Sequence, residues 1–134
     1  MDLAKLFSPE GAEVLRHALT ASPSWAQQAA GWTTTLALVA EGEGSSQALW
    51  LALERGECVQ LRPVGDQEVQ QAEFVLQGSF SVWRAILAGQ LDPVGAVFTG
   101  KLKVARGNVM ALSARIGAAR ALLEAARQAV ERQA

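Results

Sequence analysis

Between Gly78 and Asn108 the chain reads GSFSVWRAILAGQLDPVGAVFTGKLKVARGN, and this stretch leaves the remainder little freedom. Ser79 is placed to cap a helix whose apolar residues Phe80, Val82, Trp83, Ile86 and Leu87 share one face, and Gly89 supplies a left-handed stop. Asp92-Pro93 is a second start: the carboxylate accepts orphan N–H groups, and the ring fixes φ at the first helical position. The short helix that follows is expected to bury Val94, Val97 and Phe98. Gly100 ends it, and Lys101, Leu102, Lys103 and Val104 alternate as a strand with one wet and one dry face. Gly107-Asn108 then turns the chain into a final helix. Four elements punctuated this tightly must fold back on one another.

Upstream, Ser8-Pro9-Glu10 and Ser22-Pro23 are two further helix starts, the second helix running through Trp25 and stopping at Gly31. Segments rich in β-branched, leucine and aromatic residues predict strands over 32–39, 48–53, 58–62, 73–77 and 101–105. Arg55-Gly56 is a tight hairpin, 41–46 a polar loop, and 63–71 a polar connection. The segment 109–131 is predicted as one helix, with Val109, Leu112, Ile116, Ala119, Leu123, Ala126 and Val130 inward. Strands gathered ahead of the central helix, with helices at both ends, make an α+β fold: a five-stranded, mostly antiparallel sheet with helices packed on one face.

The 134 residues are read as a single domain spanning 1–134, and a 50% hydrophobic content argues against disorder. A net charge of −1 favours neither a nucleic-acid backbone nor an anionic membrane surface. No apolar run is long enough to span a bilayer, so no stable membrane insertion is expected. The N-terminal MDLAKLFSPEG lacks a long apolar run and is not expected to act as a signal peptide, and the lone Cys58 fits a reducing, cytoplasmic setting.

Catalytic chemistry finds little material. His17, the only histidine, has Arg16, Ala18 and Leu19 beside it and reads as a helix-surface residue. Cys58 lacks the companion ligands that a metal needs and reads as a packing residue or a small outward one. Glu41, Glu43, Glu54, Glu57 and Glu73 read as solvated charges. The Gly42-Glu43-Gly44 loop lacks the following helix that would make it a phosphate cradle. Lys101 and Lys103 share a strand face, either contacting an anionic head group or guarding a sheet edge. No metal, no cofactor and no enzymatic activity are expected. The four tryptophans and four phenylalanines either fill a bulky core or hold sheet and helices apart around a void.

Trp83 followed by Ile86-Leu87-Ala88-Gly89, then Leu91-Asp92-Pro93, an apolar pair, and Gly100-Lys101-Leu102-Lys103-Val104 before a glycine turn resembles the sterol carrier protein 2 family. The resemblance covers residues 24 to 125. It departs at Ala105-Arg106-Gly107-Asn108, a longer turn with Asn where Asp is common, and at an end, Glu131-Arg132-Gln133-Ala134, that lacks the peroxisomal tripeptide of eukaryotic members. It implies a hydrophobic tunnel between sheet and helices, lined by Phe74, Leu76, Leu102, Val104, Leu112, Ile116 and Leu123, with Trp83 a structural anchor. The implied function is an intracellular carrier of a fatty acid, acyl chain or other lipid.

The alternative is a ligand-free dimerisation or interaction module with a closed core. If Leu49, Leu51 and Leu53 face the helices, Trp50 faces away, and Thr33, Thr35, Ala37, Val39 and Val75 share its outer face. A flat patch with one large indole suits a homodimer contact.

Overall fold

The computed structural model of the chain describes residues 3–42 and 44–132. The N-terminal helices are α1 (Leu3–Leu6), α2 (Pro9–Thr20) and α3 (Pro23–Gln28). Strands β1 (Thr34–Gly42), β2 (Ser45–Glu54) and β3 (Glu57–Val64) follow, then a one-turn helix α4 (Asp66–Val69) and β4 (Phe74–Ser79). The C-terminal part holds α5 (Phe80–Leu87), α6 (Pro93–Phe98), β5 (Lys103–Arg106), α7 (Val109–Ser113) and α8 (Ile116–Arg132).

The caps are the ones that local chemistry dictates. Ser8 accepts from Gly11 N at 3.2 Å, Ser22 from Trp25 N at 3.1 Å, Ser79 from Val82 N at 3.1 Å and Asp92 from Gly95 N at 3.0 Å. Each satisfies an N–H that the first helical turn leaves without a partner. Arg55 and Gly56 both take positive φ (53° and 87°), which turns β2 into β3 with the twist that two-residue hairpins require.

The five strands form one sheet in the order β3-β2-β1-β4-β5, antiparallel except where β1 and β4 run parallel. Pro63 is tolerated because β3 is an edge. The expected α+β class therefore holds. Leu49, Leu51 and Leu53 point toward the helices and are essentially without solvent contact, packed in one core with Leu15, Leu19, Trp25 and Trp83.

Three expectations need correction. Helices do not cover one face only: the chain crosses from β3 to β4 over the opposite face, where α4 and Ala72 lie on Ala37, Val39, Ala48 and Val75. The polar loop at 41–46 is mostly strand, its centre Glu43 lying outside the described residues. The final helix is two helices, interrupted at Ala114 and Arg115. Arg115 is drawn away by tertiary contacts, donating to the Ala30 carbonyl at 3.3 Å with its guanidinium 5.6 Å over the Trp32 ring.

Candidate functional site

The site begins with two glycines. Gly78 in β4 has no side chain, and a Cβ there would lie 3.1 Å from Leu102 Cδ1, so Leu102 occupies the space that Gly78 leaves. Gly100 (φ 77°) stops α6 and lets the N–H groups of Lys101 and Leu102 both donate to the Ala96 carbonyl, at 2.9 and 3.1 Å. Leu102 is thereby fixed inward, 2% exposed, under the short helix that precedes it.

Above this floor lies a pocket of about 130 Å³. Leu76, Leu102 and Val104 form the floor; α6 contributes Pro93, Val94, Val97 and Phe98; α7 and α8 contribute Val109, Leu112, Ile116, Ala119 and Leu123. Ser113 and Arg120 are the polar residues in the lining. The walls grade from dry to wet: Leu123 is buried, Ile116 is 36% exposed, and Phe98 at the mouth is 85% exposed. Arg120 reaches across to Asp92 at 3.0 Å, tying α8 to the cap of α6 through an exposed ion pair.

Six of the seven residues implied as tunnel lining meet here: Leu76, Leu102, Val104, Leu112, Ile116 and Leu123. Phe74 does not. Its ring packs against Trp32, 6.4 Å between centroids, and beside Gly107, where a Cβ would fall 2.5 Å from Phe74 Cδ1. A register shift between Val75 and Leu76 brings the turn after β5 over Phe74 and away from the pocket. Phe98 and Val109, expected to be buried, stand at the mouth. The α6 residues were missed as lining, although their signal was present: PVGAVF is apolar all round, more than one buried face of a six-residue helix can use.

Trp83 is 2% exposed, outside the pocket, and donates from Nε1 to the Val39 carbonyl at 2.9 Å, joining α5 to the central strand. Trp50 lies on the opposite sheet face, half-buried among Val64, Val69 and the β1 and β4 side chains, so its own chain supplies part of its cover. Its Nε1 is shielded from solvent and meets no acceptor among the described residues.

The remaining candidates stay apart. His17 is exposed. Burial pushes the Cys58 thiol up to about 11, partly offset by Arg16, so the sulfur stays protonated and unreactive. Glu73 accepts from Thr34 Oγ1 at 2.6 Å while its N–H donates to Thr35 Oγ1 at 2.9 Å, a structural brace between β1 and the start of β4. Glu41, Glu54 and Glu57 are exposed. Among the described residues no group of histidine, cysteine and carboxylate side chains could hold a metal ion, and no helix is long and apolar enough to cross a membrane.

Comparison with known proteins places this geometry. The model of the SCP-2 sterol transfer family matches residues 15–116. A crystal structure of sterol carrier protein 2 superposes with a TM-score of 0.83 at 30% identity, over 91% of this chain and 97% of that one. A conserved hypothetical protein of Thermus thermophilus, described as a candidate sterol carrier protein, gives 0.82 at 28% identity, over 96% and 92%. The fold is also that of palmitated SCP2L2 from Aedes aegypti, at a TM-score of 0.61 and 12% identity, over 87% and 95%. No curated protein matches the chain.

Proposed function

The chain belongs to the SCP-2 sterol transfer family, a family of lipid-carrier folds, and from that premise we propose that it carries a fatty acid, acyl chain or comparable lipid in the pocket between β5 and the helices. The observation that carries the proposal is the lining itself: leucine, valine, isoleucine, phenylalanine and proline, dry at the floor and open at the mouth. Binding is burial. Each methylene withdrawn from water contributes about 0.8 kcal/mol, so a chain of about 14 carbons gains roughly 10 kcal/mol before its ordering costs. No bond need be made or broken.

At about 130 Å³ the pocket is close to benzene-sized, since a cavity of about 150 Å³ holds that molecule. A long acyl chain therefore enters only as the mouth opens. The elements that move are α6 and α7, which share few contacts with the rest of the fold. Glycines at positive φ stand on either side of α6 (Gly89 and Gly100) and just ahead of α7 (Gly107). The Arg120–Asp92 clasp is half-exposed on both sides and resists opening by no more than about 1 kcal/mol.

Ile116→Trp tests the reading. At the partly exposed mouth position the indole grows into the pocket rather than into packed atoms. Displacement of a fluorescent fatty acid is lost while the melting temperature stays level or rises. A parent protein that binds no fatty acid, or a variant that binds as the parent does, overturns the proposal. A strongly destabilised Ile116→Trp means that the space is closed core.

A further inference from the structure

Two hollows follow one another along α8. The pocket of about 130 Å³ is walled on that helix by Ile116, Ala119, Arg120 and Leu123. A second, of about 270 Å³, opens between α8 and the connection from α5 to α6, with Leu91, Asp92, Glu124 and Arg127 in its lining. Pro93, Arg120 and Leu123 line both. Residues 116, 120, 123 and 127 recur at helical spacing, so they form one stripe about 16 Å long. At the boundary between the hollows stands the Arg120–Asp92 ion pair, 3.0 Å across. The hollows are two lengths of one groove, parted by that clasp.

Among the described residues Arg120 is the one charged side chain in the lining of the inner hollow, which is otherwise apolar apart from Ser113. Its acceptor is Asp92, through Oδ1 at 3.0 Å and a longer contact to Oδ2 at 3.5 Å. Asp92 has a second partner: Oδ2 accepts from Gly95 N at 3.0 Å and caps α6. The two ends of the clasp are therefore unequal. When α6 swings outward, Asp92 keeps its cap, while Arg120 is left beside an apolar channel with no other acceptor among the described residues. Arg127, the other cation on the stripe, is already paired with Glu124 at 3.7 Å and Glu131 at 3.3 Å. A guanidinium in that position matches a carboxylate, whose two oxygens meet its fork of donors.

We propose that Arg120 is the head-group receptor of the pocket: the cargo is a free fatty acid, its chain in the inner hollow and its carboxylate at Arg120 in place of Asp92. The proposal rests on the carrier reading and narrows the cargo from lipids at large to single-chain carboxylic acids. It also couples loading to opening. Entry of any long chain parts the clasp, but only an anionic head gives Arg120 a new partner. An ester of the same length leaves the guanidinium unpaired. The outer hollow, bordered by Asp92, Glu124 and Arg127, has room for the water that hydrates the head.

Displacement of Nile red, an uncharged fluorescent probe, by dodecanoate and by methyl dodecanoate tests this at about pH 8, where a carboxylic acid is ionised. The two halves of the clasp are cut separately, at positions about half exposed, so both variants are expected to keep the parent's far-UV spectrum. Asp92→Asn retains an oxygen to cap α6 but no longer pairs with Arg120. Both ligands then bind more tightly, because opening breaks no ion pair, and the ratio of acid to ester affinity stays at the parent value. Arg120→Gln also cuts the clasp, yet the ratio falls about fivefold, the upper range for a half-exposed pair. The double variant shows the same fall relative to Asp92→Asn, which isolates the arginine in a background where the clasp is already open. If Arg120 merely ties α8 to α6, the two single substitutions act alike and leave the ratio unchanged. That result overturns the proposal and leaves the carrier reading standing. A parent that binds neither ligand removes the carrier reading and this one with it.

Discussion

Two leucines with nearly the same burial, Leu51 and Leu102, should respond differently to truncation. Leu51 is 0% exposed and sits between Leu36 on β1 and Leu61 on β3, with helices above it. Leu102 is 2% exposed, but one of its sides faces the 130 Å³ pocket. Replacing either by Ala removes apolar carbon worth about 2.4 kcal/mol at 0.8 kcal/mol for each of three groups. At Leu51 a void of roughly 80 Å³ opens inside rigid sheet packing and adds about 2 kcal/mol more, for a loss of about 4–5 kcal/mol. At Leu102 that second contribution is small. The pocket side offers few dispersion contacts to lose, and the loosely attached α6 can settle inward. Leu102→Ala should therefore cost about 2.5–3 kcal/mol. Urea midpoints at unchanged slope measure both losses, and the gap of about 1.5 kcal/mol exceeds the usual extrapolation error between variants. Losses equal to within about 0.5 kcal/mol would refute the reasoning, because they would mean that Leu102 is packed on all sides and that the pocket closes in solution.

Gly107→Ala should destabilise by at least about 2 kcal/mol, since φ is 107° and the new methyl would lie 2.5 Å from Phe74 Cδ1; Gly31→Ala, at φ 77° with nothing within 4 Å, should cost only about 1 kcal/mol in the same melting experiment. Cys58 gives a pH dependence: an unfolded thiol ionises near about 8.5 while the folded one holds its proton to about 11. The unfolded state is thus the one that loses the proton as pH rises between those values, so stability falls across that window. Denaturant midpoints at pH 8 and pH 10 should show the fall in the parent and a flatter profile in Cys58→Ala.

Local chemistry explains what was legible in the sequence. Ser8, Ser22, Ser79 and Asp92 each satisfy an N–H three residues on, and Gly31, Gly89 and Gly100 all take φ near 77°, so helix ends could be placed from a few neighbouring residues. Strand alternation likewise put Leu49, Leu51 and Leu53 on one face and Trp50 on the other. Distant partners explain what was not legible. The break at Ala114 and Arg115 falls on neither glycine nor proline, Gly117 coming only after it, and the partners that hold Arg115, the Ala30 carbonyl and the Trp32 ring, lie over eighty residues away. The one-turn α4 has no side-chain cap and exists because Val69 and Ala72 find the outer face of β1 and β4. Helical periodicity assigned Phe98 to the buried face of α6, but the side of α6 that is buried carries Ala96, and Phe98 stands 85% exposed. The pocket residues were legible only through the family resemblance, since an alternating strand face looks the same over a void as over a core.

The void itself follows from how α8 divides its apolar surface. Ala118, Ala121, Ala125 and Ala129 are buried, and α8 packs against α2 and α3. Small side chains permit close approach, as does Gly117, where a Cβ would fall 2.1 Å from the Gln28 side chain. Pulled toward α2 and α3, the helix turns its larger residues, Ile116 and Leu123, toward β5. There the sheet is at its edge, and its last strand is only four residues long. A short edge strand cannot fill the space that a long helix opposite it spans, and what closes the gap is α6, six residues held by a clasp and two glycine stops. One wall of the pocket therefore belongs to a helix packed against α2 and α3, and the other to α6, which shares few contacts with the rest of the fold. An apolar chamber with one fixed wall and one yielding wall can hold its shape when empty and still admit a guest larger than itself.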